Sequence, residues 1–236
     1  MTALRLYIRR FPVTISLLFV LAVTAVLTNS HISSLEPVWL SQLGFAARDF
    51  WELRWGRLFT SALVTLGGAV FWQAMGMVML AVGAVEYLTG SKSALATFWG
   101  VHLATLLAEG AVVGPALHWL VFNGDSLLLL ARDVGPSAGY FGSLGMAVAA
   151  LPVQRRWRGL LAAAVFAALV LALFQPPDGE DTTLKLLANI AHVLAFPLGL
   201  AAWRLRRMVK RQASETAVPV AIGKNGKGRR TMDRKS

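Results

Sequence analysis

The sequence predicts an all-α, polytopic integral membrane protein, built as a bundle of six transmembrane helices. Three observations predict it. Of 236 residues, 56% are hydrophobic and only 15% charged, a balance that suits a bilayer better than water. The apolar residues gather into runs near the roughly 20 residues that cross a membrane. Lys and Arg gather beside the ends of those runs, with a strong bias to one side.

The runs fall at 12–28, 66–88, 93–113, 134–151, 158–174 and 184–203. The first follows Arg5, Arg9 and Arg10 and imitates a signal peptide, but no small-residue cleavage site follows Thr28, Asn29 and Ser30. It therefore reads as an uncleaved span. Segment 29–65 carries Trp39, Trp51 and Trp55 and is expected at the membrane interface, where indole rings favour the headgroup level. Between the third and fourth runs, Leu127 to Leu130 form an apolar patch too short to cross. From Gln212 the chain turns polar, rich in Gly, Lys and Arg, and is expected to be disordered. The predicted organisation is a cytoplasmic amino terminus with the first span over 1–28, the rest of the membrane domain over 29–205 and a basic tail over 206–236.

Counting Lys and Arg on alternate sides puts eighteen with the two termini and five on the other side. Positive residues accumulate in the cytoplasm, so both termini are expected inside, and the loop with Asp178, Glu180 and Asp181 outside. The net charge of +11 sits at span ends rather than along one face, which argues against nucleic acid and for anionic lipid headgroups. The absence of cysteine excludes disulfides, thiolate metal sites and cysteine nucleophiles. No phosphate loop or metal-ligand spacing stands out, and neither cofactor nor metal is expected.

Polar groups inside spans are costly unless paired or hydrated, so each is a functional candidate. Three places qualify: Gly135-Pro136-Ser137-Ala138-Gly139, Asn189-Ile190-Ala191-His192, and His102 with Thr105 and Glu109. At 1.5 Å per residue, Ser137 lies about 22 Å from the cytoplasmic border and His192 about 18 Å. Similar depth lets a serine nucleophile and a histidine base meet if their helices touch. Ala138 and Gly142 on one run, and Ala195 and Gly199 on the other, have the four-residue spacing of small residues that permits close helix contact. His102, Thr105 and Glu109 fall at i, i+3 and i+7, on one helical face expected to point into the bundle.

These residues resemble the rhomboid intramembrane serine proteases. Gly135-Pro136-Ser137-Ala138-Gly139-Tyr140-Phe141-Gly142 is similar to that family's GxSGxxxG motif, with Ala138 at the second glycine. Ala191-His192, with Ala195 and Gly199, is similar to its AHxxGxxxG motif, with Ala195 at the first of those glycines, and Asn189 three residues earlier also fits. Arg57 to Ser61 resembles the family's WR-containing loop, and Glu86 to Ser91 the turn ending its second helix. The resemblance implies a six-helix core, Ser137 as nucleophile, His192 as general base and transmembrane segments of other proteins as substrates. Asn189 is an oxyanion or cavity candidate by that resemblance. The stripe of His102, Thr105 and Glu109 is a candidate by its spacing alone, to hydrate the cavity or replace oxyanion donors, set against the favoured reading of a structural hydrogen-bond cluster between helices. Two positions depart: Phe71 and Met75 stand where the family carries HxxxN, and Pro136 precedes the serine as in its inactive relatives. A non-catalytic client-binding relative is the alternative, and a small-solute transporter the third reading. A bacterial plasma membrane is the expected location.

Overall fold

A computed structural model describes residues 10–120, 127–175 and 182–216. Arg5, Arg9, the acidic loop Asp178 to Asp181 and the tail after Thr216 lie outside the described residues. Among the described residues six longer helices follow one another: α1 Pro12–Leu27, α2 Ala69–Thr89, α3 Ser91–Trp119, α4 Ser137–Ala150, α5 Arg155–Ala172 and α6 Thr182–Thr216. Three of them, α2, α3 and the stretch Thr183–Ser214 of α6, are long and apolar enough to cross a membrane. Helix α1 is apolar but shorter. Among the described residues there are no β-strands, only two isolated bridges, Ser34 with Gly67 and Phe45 with Asp133.

The chain divides into a compact unit up to Trp203 and a second from Arg204. Helix α6 runs on to Thr216, so residues 212–216, expected to be disordered, are helical. That segment keeps Gln, Ala, Ser and Glu, which have no helix-breaking geometry, ahead of the Gly-rich stretch.

Helix α4 packs through its glycines because any added side-chain carbon would collide with a neighbour. At Gly139 the obstacle is the Phe98 ring of α3, at Gly142 the Val101 side chain, and at Gly145 and Gly199 backbone carbonyls, those of Phe196 and Gly142. The backbones of α4 and α6 thus touch directly, as small residues allow. Val78, Val82 and Val85 of α2 close the other side with Leu17 and Leu21 of α1 and Met146 of α4.

One buried carboxylate ties the ends of two helices. Glu86 accepts hydrogen bonds from the backbone N–H groups of Val13 (3.0 Å) and Thr14 (2.9 Å) and from the Thr14 hydroxyl (2.7 Å). The first turn of α1 has no intrahelical partners for these N–H groups, and a carboxylate there also meets the positive end of the helix dipole.

At the end of the bundle that holds Ser137, segment 29–68 forms short helices Pro37–Leu43, Ala47–Trp51 and Arg57–Thr60 joined by turns. Ala47–Trp51 lies against α3 at Gly110 and Gly114, where an added carbon would meet Phe50 at 2.6 Å and Ala47 at 2.5 Å. Trp51 and Trp55 are exposed, whereas Trp39 packs beside Leu35, Val64 and Val134.

Candidate active site

Ser137 is the first residue of α4 and half-buried. The turn before it is held from outside: Gly135 N–H donates to the Ser61 carbonyl at 2.8 Å. A proline disfavours the helical region for the residue before it and biases that residue to ordinary extended backbone. Gly135 instead takes φ +143°, a region open only to glycine, because the turn must present its N–H to Ser61. Pro136 is fully buried with φ −74°, and its carbonyl accepts the Tyr140 N–H at 2.9 Å. The proline therefore starts α4, a position where its missing N–H costs nothing.

His192 reaches the same level from α6. Its ring lies on Phe141, with centroids 4.3 Å apart and planes 40° apart. Phe141 is one helical turn beyond Ser137 on α4, so serine and phenylalanine share a helical face. No hydrogen bond joins Ser137 to His192, and His192 Nε2 is buried without a partner. Ala138 and Ala195 belong to one buried cluster with Val101 beside this contact.

The other candidates divide. His102 Nε2 donates to the Leu58 carbonyl at 2.9 Å, and its ring stacks on Phe98 at 6.4 Å and meets the Trp99 edge at 6.0 Å. Thr105 is fully buried and Glu109 nearly so, and Thr105 Oγ1 and Glu109 Oε1 have no partner. All three side chains of the stripe are buried within the protein, Glu109 at the start of a π-helical turn, Glu109–Val113. Turns of that kind re-aim side chains by one position. Asn189 does not offer its amide to the serine. Its Nδ2 donates to the carbonyl of Ala172 at 3.0 Å, satisfying the last turn of α5. Phe71 is buried beside Trp72, and Met75 packs on the core, so neither supplies a polar group.

Asp133 joins this end of the bundle. Its backbone exchanges two hydrogen bonds with Phe45, and its Oδ1 accepts the Val134 N–H at 2.8 Å. Burial pushes its carboxyl up to about 6, against that hydrogen bond. The Asp133 and Glu109 carboxyls lie near enough to interact electrostatically.

Three residues escaped sequence reasoning. Asp49 is completely buried, and burial alone would raise its pKa, yet Arg132, Ala46 N–H and Arg57 hold it below the ordinary carboxylate value. Arg57 Nη1 donates to both carboxylate oxygens (2.9 and 3.1 Å), Arg132 Nη1 to one at 2.6 Å, and Ala46 N–H at 3.0 Å. Arg54, Arg57 and Arg132, counted as charges on one side of the membrane, converge on this one carboxylate. Glu86 and Phe141 were named only as members of motifs, and their contacts with α1 and His192 were missed.

Comparison with known proteins gives no matching family model and no matching curated relative.

Proposed function

We propose that the chain is a rhomboid-like intramembrane serine protease, with six spans, cytoplasmic termini, Ser137 as nucleophile and His192 as general base. The observation that carries the reading is the contact of α4 with α6, which seats the His192 ring on Phe141, one turn from Ser137. In the reaction, Ser137 Oγ attacks the scissile carbonyl carbon as His192 takes its proton. The tetrahedral intermediate collapses, the peptide C–N bond breaks, and the amine leaves with that proton. Water, deprotonated by His192, then releases the acyl group and restores the serine. The substrate is a transmembrane segment of another protein, cut about 8 Å below the outer membrane surface.

A second reading, a non-catalytic relative that binds transmembrane clients, draws on other observations. Ser137 and His192 are not hydrogen bonded, Asn189 is occupied at α5, and Phe71 and Met75 give no oxyanion donor. Losing one oxyanion side chain costs about 100- to 1,000-fold in rate.

A fluorophosphonate probe applied to the detergent-solubilised protein separates the two. Labelling of wild type that disappears in Ser137→Ala and falls by at least about 100-fold in His192→Ala supports the protease. A folded wild type that never labels, and a Pro136→Ala variant that never labels either, sinks it in favour of client binding.

A further inference from the structure

The turn that follows the short helix Ala47–Trp51 presents an unusual surface. Leu53 adopts φ +57°, a left-handed conformation that costs energy for any residue with a side chain, and it stands 72% exposed. Trp51 and Trp55 flank it at 63% and 55% exposure. Burial of Leu53 therefore does not offset the strain within the chain. The turn is firmly mounted all the same: Arg54 N–H donates to the Asp49 carbonyl at 2.9 Å, and Trp51 Nε1 donates to the Gly110 carbonyl of α3 at 3.0 Å.

Around this apolar tip the charges do not balance. Arg57 and Arg132 are bonded to Asp49, while Arg48 and Arg54 share Glu52, Arg54 through Nε at 3.1 Å. Four guanidinium groups thus face two carboxylates. Arg48 and Arg54 have side chains 58% and 50% exposed, so the surplus positive charge reaches the surface within three residues of the indoles in the chain.

We propose that Trp51–Trp55 is a lipid-docking turn, in which Leu53 and the two indoles enter the headgroup layer and Arg48 and Arg54 bind the phosphate of an anionic phospholipid. Indoles partition to the headgroup level, and arginine pairs with phosphate through two parallel N–H donors. A soluble anion would employ the arginines and leave the strained, exposed Leu53 without purpose. The mounting on α3, a helix long enough to cross the membrane, holds the turn beside the lipid. The proposal does not depend on the protease reading.

The chain has no cysteine, so Leu53→Cys accepts a single environment-sensitive dye on the full-length protein. In phosphatidylcholine vesicles containing phosphatidylglycerol, the dye should emit at shorter wavelength, resist aqueous iodide and be quenched by a shallow spin-labelled lipid. In detergent, titration with short-chain phosphatidylglycerol followed by tryptophan fluorescence should weaken by about tenfold in Arg48→Gln/Arg54→Gln, given the attraction expected per basic residue at an anionic surface. The response to short-chain phosphatidylcholine should stay the same. Both arginines are exposed, so the variant should keep its helical circular dichroism; the single Arg54→Gln variant stands in if it does not. A dye open to iodide in vesicles would overturn the proposal and point to a protein partner or to water. An unchanged phosphatidylglycerol titration, or inorganic phosphate competing as well as the lipid, would overturn it as well.

Discussion

Asp49 and Glu109 are buried carboxyls in two regions at the same end of the bundle, and their surroundings are opposite. Asp49 is fully satisfied, with two arginines and a backbone N–H on its oxygens and a third guanidinium 3.8 Å away. Glu109 keeps an unpartnered oxygen beside an unpartnered Thr105 hydroxyl one turn earlier, and its electrostatic neighbour Asp133 is of like sign. A buried polar group without a partner is expensive, whereas a complete network rigidifies its surroundings. The arginine network is therefore read as scaffold: it ties segment 44–57 to Arg132, five residues ahead of Ser137. Thr105 Oγ1, Glu109 Oε1 and His192 Nε2 are among the buried polar atoms that no protein group satisfies.

The sharpest way to break this contrast is to remove both carboxylates. Asp49→Ala leaves Arg57 and Arg132 half-buried without their counter-ion and should cost about 3–5 kcal/mol, the range for breaking a buried pair. Glu109→Gln keeps the shape, removes an ionisable group that has no counter-ion and should change stability by less than about 1 kcal/mol. Thermal unfolding of the purified protein in detergent reads both. Equal losses would mean that Glu109 is as structural as Asp49.

Next in size is the contact between the backbones of α4 and α6. Gly199→Leu places a side chain against the Gly142 carbonyl and should destabilise by about 1–3 kcal/mol or more. It should also lower Ser137 labelling beyond what the lost stability explains. A variant with full stability and labelling would show that α4 and α6 need not touch there.

The contrast extends to pH. The Asp133 carboxyl is raised from 3.8 to about 6 by burial, so the folded protein holds its proton over a window in which the unfolded chain has lost it. Stability contributed by that proton is present at low pH and declines as pH rises from about 4 through 6. Asp133→Asn should flatten the decline and gain stability at neutral pH. Asp49 has the opposite sign: its folded pKa lies below 3.8, so its contribution is full above that value and fades as pH falls through the depressed one. A stability profile of Asp133→Asn that parallels wild type between pH 4 and 6 would remove Asp133 from this account.

The smallest effect should come from Phe141→Leu. It keeps apolar volume but removes the ring against which His192 rests, and should cost about 1 kcal/mol of stability. A several-fold fall in Ser137 labelling with little loss of fold would assign Phe141 a positioning role. Unchanged labelling would make the ring contact mere packing.

Much of the architecture was legible because one-dimensional properties control it. Run length and apolar content set where α2, α3 and the start of α6 form, and the Gly-Pro pair before Ser137 marks a turn and a helix start. The spacing of Ala138, Gly142, Ala195 and Gly199 pointed to a close approach, since a missing side chain is a property of the residue itself. The three-to-four-residue stripe of His102, Thr105 and Glu109 likewise indicated one face, and all three side chains are buried. Hydrogen-bond partners were not legible in the same way. Asn189 was an oxyanion or cavity candidate, and its Nδ2 donates to the Ala172 carbonyl at the end of α5, a partner that no spacing in the sequence indicates. The departure at Gly135 has a similar origin, in the carbonyl of Ser61.

By itself, the sequence determined the helical, membrane-type character of the chain, roughly where the longer helices start, and which residues are small enough to let backbones meet. These follow from composition and periodicity, which act locally or through a uniform solvent such as the bilayer. Only the tertiary structure decided that Asp49 has Arg57 and Arg132 as counter-ions, that Glu86 receives the first turn of α1, and that His192 rests on Phe141. Hydrogen bonds and ion pairs depend on sub-ångström placement of groups 8, 72, 83 and 51 residues apart, and no periodic pattern encodes such distances.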